Sequence, residues 1–154
     1  MSTHAVTVRH NFETAHRLPH LGGKCASLHG HSWWVEVTAA CQELASTATV
    51  VEFGEFKKQL REWIDLRLDH GTMLGYQDPL RDALTADGSK LFVFGEAEAG
   101  PAVADLEWPT VENVAVLLGR IAEKVIEGTE SAQGARITRV VVKETHVNAA
   151  EWCP

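Results

Sequence analysis

Three histidines in two short runs carry the plainest chemistry in this chain: His16, closing Phe12-Glu13-Thr14-Ala15-His16, and the pair in His29-Gly30-His31. A neutral imidazole is the commonest nitrogen ligand of a transition metal, and three of them leave one tetrahedral position open for chemistry. Residues two apart in a strand face the same way, so His29 and His31 can reach one ion together. Phe12, Thr14 and His16 form a second period-two set. The turn-rich Pro19-His20-Leu21-Gly22-Gly23 that follows can fold one strand back beside the other. Alone, an HxH is more often a strand fragment with one His turned inward. The third His, and Cys25 four residues before His29, tip the reading toward a catalytic metal. An all-imidazole set favours zinc, since magnesium and calcium take oxygen ligands.

The elements that must position these groups follow from periodicity. Residues 4–12 alternate loosely and read as a first strand whose continuation ends near His16. Residues 31–41 are β-branched and aromatic and read as a second. Phe53, Phe56, Leu60, Trp63, Ile64 and Leu68 recur at three- and four-residue steps, the signature of a helix with one apolar stripe. Glu52 precedes it as a cap, and its long side chain is expected to fold back less readily than Asp. A second helix is expected after Pro109, with Thr110 as N-cap, Glu112 in the first turn, Val114, Leu117, Leu118, Ile121 and Val125 buried, and Gly128 as stop. Residues 136–145 read as a third strand, and a short one near 149–153 can close the sheet. The order predicts an α+β fold: a four-stranded antiparallel sheet with both helices on one face.

The 154 residues fit a single domain, 1–154, with a real core, and 45% hydrophobic residues is ordinary for a globular protein. No apolar run approaches the roughly 20 residues needed to cross a bilayer, so no membrane partner is expected. The N-terminus has neither a basic n-region nor an apolar h-region, so no signal peptide is expected. A formal charge of −7 argues against nonspecific nucleic-acid binding, which needs clustered Lys and Arg. Cys25, Cys41 and Cys153 form neither a CxxC pair nor an even framework, which fits a reduced, cytoplasmic location. Cys41 reads as a buried small hydrophobe and Cys153 as exposed.

The blocks Phe12-Glu13-Thr14-Ala15-His16-Arg17-Leu18-Pro19-His20 and Lys24-Cys25-Ala26-Ser27-Leu28-His29-Gly30-His31-Ser32-Trp33 closely resemble the 6-pyruvoyl-tetrahydropterin synthase superfamily. The likeness is strongest to the bacterial 6-carboxy-tetrahydropterin synthases of queuosine and related deazapurine pathways. Leu68-Asp69-His70, Pro109-Thr110-Val111-Glu112-Asn113 and Val142-Lys143-Glu144-Thr145 agree in order. The resemblance implies the T-fold (tunnelling fold) and a homo-hexamer of two stacked trimers with active sites between subunits. It also implies a zinc site of His16, His29 and His31, and a lyase acting on 7,8-dihydroneopterin triphosphate. Cys25 would be its general base, Asp69 and His70 an acid–base pair, and Glu144 the anchor of the pterin ring. A carboxylate suits that last task because it accepts two adjacent N–H donors in one plane. Arg17 and Lys24 are expected near the entrance, toward the phosphates. Two alternatives stand beside this: release of triphosphate only, giving 6-pyruvoyl-tetrahydropterin, and a noncatalytic pterin- or metal-binding protein. An aldolase activity is disfavoured by Cys25. Residues 75–108 depart from the compact family pattern and read as a lineage-specific insertion, a surface elaboration in which Leu91, Val93 and nearby phenylalanines form an added strand or hairpin.

Overall fold

A computed structural model describes residues 2–154. Strand β1 (His4–His16) pairs antiparallel with β2 (His29–Cys41), and β2 pairs antiparallel with β5 (Arg136–Lys143), which in turn pairs with β6 (Ala149–Trp152). These are the four strands expected from the sequence. The sheet does not stop there. Strand β3 (Gly71–Gly75) lies parallel to the end of β1, and β4 (Leu91–Phe94) lies parallel to β3. The sheet is therefore six-stranded and mixed, in the order β4-β3-β1-β2-β5-β6, and not the four-stranded antiparallel sheet that the sequence predicts.

The physical reason for the difference lies in burial. In β3 the side chains of Met73 and Leu74 are both buried, and in β4 so are Phe92, Val93 and Phe94. A strand covered on both sides has no polar–apolar alternation to betray it, and five residues that begin and end on glycine offer no length signal. The segment 75–108 is accordingly more than a surface elaboration. Between β3 and β4 it forms a short helix α2 (Arg81–Ala86), and beyond β4 it buries Ala102, Val103 and Leu106 in the core. The added strand is parallel, so it is not half of a hairpin.

Helices α1 (Phe53–Arg67) and α3 (Val111–Glu127) cover one face. Phe56, Leu60 and Ile64 of α1, with Val114, Leu117 and Leu118 of α3, pack over Phe12, Trp33, Val35 and Val37 of the sheet. Each such side chain contributes roughly 1.5–3 kcal/mol when fully buried, far more than the few tenths available from surface pairs on a helix. Thr110 Oγ1 caps α3 by accepting from Asn113 N at 3.2 Å, and α3 ends at Gly128. Glu52 departs from expectation: its two carboxylate oxygens accept from Gly54 N at 2.8 Å and Glu55 N at 2.7 Å. Gly54 leaves room beside the folded-back carboxylate; a Cβ built there would stand 3.1 Å from Glu52 Oε1.

Candidate metal centre

The β1–β2 register sets His16 directly opposite His29, and Thr14 opposite His31, at the last rungs of the ladder. Side chains two apart share a face, so His16, His29 and His31 all point to the helix-covered side, in line with Phe12 and Trp33. Their candidate ligand nitrogens all lie within 4.8 Å of one another. The Trp33 indole braces them from below, edge-on to His16 and His31, and donates its own N–H to Thr14 O at 3.0 Å.

Backbone carbonyls choose the tautomers. His16 Nδ1 lies 2.9 Å from Pro109 O, and His29 Nδ1 lies 2.7 Å from Ser27 O. A carbonyl can only accept, so each Nδ1 carries its proton and each Nε2 keeps a lone pair. Such support fixes the ring and raises its basicity toward a metal. His16 Nε2 and His31 Nε2 are buried and without a hydrogen-bond partner. Burial lowers the pKa of His16, outweighing the Pro109 hydrogen bond and the Glu144 charge that raise it; burial lowers that of His31 against the same carboxylate. Both rings are thereby held neutral, the form a metal needs.

Glu144 follows directly on β5 and brings its carboxylate to the same place. Its Oε1 is 3.0 Å from His16 Nε2 and 3.5 Å from His31 Nε2. Beside it opens a groove of about 680 Å³ lined by His31, Ser32, Trp34, Lys143, Glu144 and His146. Cys25 is exposed on a 3-10 turn (Gly23–Ala26) in the loop between the two ligand-bearing strands, held by Leu18 N donating to its carbonyl at 2.6 Å.

Asp69 and His70 do bond each other: His70 Nδ1 donates to Asp69 Oδ2 at 2.7 Å. The pair is docked on β1, with Glu13 N donating to Asp69 Oδ1 at 2.8 Å and His70 N donating to Glu13 O at 2.6 Å. His70 takes a left-handed backbone (φ 55°), which turns the chain from α1 into β3. Burial pushes the Asp69 carboxyl up, but the Glu13 N–H and the His70 ring together hold it below its usual value. Lys90, which the sequence did not single out, donates from Nζ to Asp69 O at 2.6 Å and Asp65 O at 3.1 Å. His70 lines a shallow depression with Glu13, Ser32 and His31, and its side chain is 78% exposed.

A profile of the 6-pyruvoyl tetrahydropterin synthase family matches residues 5–153. The chain belongs to that family. Among curated relatives, a 6-carboxy-5,6,7,8-tetrahydropterin synthase from Rickettsia bellii is 31% identical over 141 residues, 90% of this chain and 92% of the relative. One of the same name from Rickettsia typhi is 35% identical over 72 residues, where the match spans 47% of this chain and 52% of the relative. The family's fold is shared as well. The 6-pyruvoyl tetrahydropterin synthase of Caenorhabditis elegans superposes with a TM-score of 0.66 at 20% identity, over 100% of this chain and 97% of that one.

One expected site residue is placed otherwise. Arg17 does not face an entrance: its Nε lies 3.4 Å from Asp78 Oδ2, and the Asp78 side chain is wholly buried in the segment after β3. The guanidinium is turned inward because a buried carboxylate needs a counter-charge. Lys24 remains exposed. In the sequence Pro109 marks only the start of a helix, whereas in the structure its carbonyl fixes the His16 ring.

Proposed function

We propose that this protein is a zinc-dependent lyase that converts 7,8-dihydroneopterin triphosphate and water to 6-carboxy-5,6,7,8-tetrahydropterin, with loss of triphosphate and acetaldehyde. The observation that carries the reading is the convergence of three imidazoles, two of them locked by carbonyls into the tautomer that frees Nε2. That donor set fits zinc, and the names of the relatives in the 6-carboxy branch point to the product.

His16, His29 and His31 would hold the ion. Bound there, zinc would polarise the oxygens of the substrate side chain and make the adjoining C–H and O–H bonds more acidic. Cys25 is the base that takes a side-chain proton; its exposed loop gives substrate access to it. Asp69 orients His70 through the Nδ1–H bond and stabilises the ring when charged, leaving Nε2 to deliver a proton. Glu144 accepts the amino and ring N–H of the pterin edge, and the groove beside it is of a size that suits a bicyclic ring. The outward-facing His70 suits a site completed between subunits of a homo-hexamer, which would also cover the open edges of β4 and β6.

The test is mass-resolved product analysis of zinc-loaded protein given 7,8-dihydroneopterin triphosphate, with Cys25→Ala beside it. Carboxytetrahydropterin and acetaldehyde are expected, lost in the variant. The family's own description favours one second reading, with 6-pyruvoyl-tetrahydropterin as product; its appearance would move the protein to that branch. No turnover by zinc-loaded protein would sink both.

A further inference from the structure

The Glu144 carboxylate faces two imidazole nitrogens at separations that suit a shared cation. Its side chain is 18% exposed and Oε1 stands 3.0 Å from His16 Nε2 and 3.5 Å from His31 Nε2. Neither contact has hydrogen-bond geometry, since both nitrogens remain without a partner. On His16 the proton is at Nδ1, facing Pro109 O, so the nitrogen turned to Glu144 presents a lone pair. A lone pair and a carboxylate oxygen at 3.0 Å repel unless a positive charge sits between them. The separations themselves match such an ion. Zinc bonds of roughly 2.0–2.1 Å to nitrogen and oxygen, arranged tetrahedrally, put neighbouring ligand atoms about 3.3–3.4 Å apart. The Glu144 distances to His16 and His31 bracket that value.

We propose that Glu144 is the fourth ligand of the metal in the substrate-free protein, closing the site until substrate enters and takes its place. This deepens the zinc reading above and rests on it. One carboxylate then has two successive partners. At rest it neutralises part of the ion's charge; displaced by a substrate oxygen, it turns to the adjacent N–H donors of the pterin edge. The arrangement has a local cause in the chain. Glu144 is the first residue past β5, and its backbone N–H bonds Asn148 O at 3.1 Å, in a tight turn where Val147 N and Asn148 N donate to Thr145 Oγ1. The carboxylate is thus tethered at its base and free at its tip.

Cobalt(II) is the probe, because its visible d–d bands report coordination number and donor set without turnover. Wild type, Glu144→Gln and Glu144→Asp are loaded with cobalt(II), and zinc affinity is measured by competition with a chelator. Expected are a changed band position and intensity in Glu144→Gln and a zinc affinity weaker by about tenfold or more. Glu144→Asp, which keeps the charge on a shorter arm, should fall between. Substrate added to wild type should move its spectrum away from the resting one. Identical spectra and affinities in wild type and Glu144→Gln would overturn the inference while leaving the three-histidine site intact. Failure of wild-type protein to bind either metal would overturn the zinc reading and this inference together.

Discussion

At the scale of single residues, the chemistry depends on atoms that carry no motif. The Pro109 and Ser27 carbonyls select the tautomers of His16 and His29, and the Glu13 N–H holds the Asp69 carboxylate. His29→Ala should therefore abolish stoichiometric zinc binding, read by metal analysis after dialysis, while far-UV circular dichroism stays unchanged. For Asp69 the sign of the pH effect follows from its depressed pKa. The folded carboxylate stays ionised below the ordinary Asp value of 3.8, where the unfolded one is already taking up a proton. Its contribution is present in full above that value and is lost as pH falls through the lower folded value. The difference in Tm between wild type and Asp69→Asn should hold from neutral pH to about 4 and shrink below it. The three histidines, Cys25, Asp69, His70 and Glu144 stand out in the sequence as candidates because each sits in a short contiguous motif. Arg17 was misjudged because its counter-charge, Asp78, comes from a segment far away in the chain.

Among the elements, legibility followed exposure to water. β1 and the helices α1 and α3 each bury one face and show it by period, and β2 and β5 are long and β-branched; the short β3 and β4, buried on both sides, have neither signal. The capping of α1 was misread for a subtler reason. Residue 52 alone suggests a poor cap, yet the Glu52 carboxylate reaches two N–H groups beside a Gly54 that has no Cβ to crowd it. Glu52→Ala should lower Tm. Gly54→Ala, which elsewhere in a helix stabilises by about 0.8–1.0 kcal/mol, should fail to raise it, because the new methyl group stands against the carboxylate. Thermal unfolding of the two single variants and the double would check this: with the cap already gone, Gly54→Ala should recover its gain.

For the whole molecule, the Arg17–Asp78 pair ties the segment after β3 to the strand that bears His16. Asp78→Ala would leave a nearly buried guanidinium without a counter-charge and should cost about 3 kcal/mol in urea unfolding. A second bolt runs at the other end of the sheet, where Gly119 of α3 leaves room for the Trp152 indole of β6, a contact any Cβ at 119 would destroy. The pairing between these two ends carries a further consequence. His16 and His29 are partners on one rung, and side chains alternate between faces. A slip of a single residue between β1 and β2 would throw one set of imidazoles to the opposite side of the sheet. Only the correctly paired chain presents all three to an ion. Zinc supplied during refolding would thus act as a proofreader of strand alignment, rewarding the native hairpin before there is any substrate to turn over.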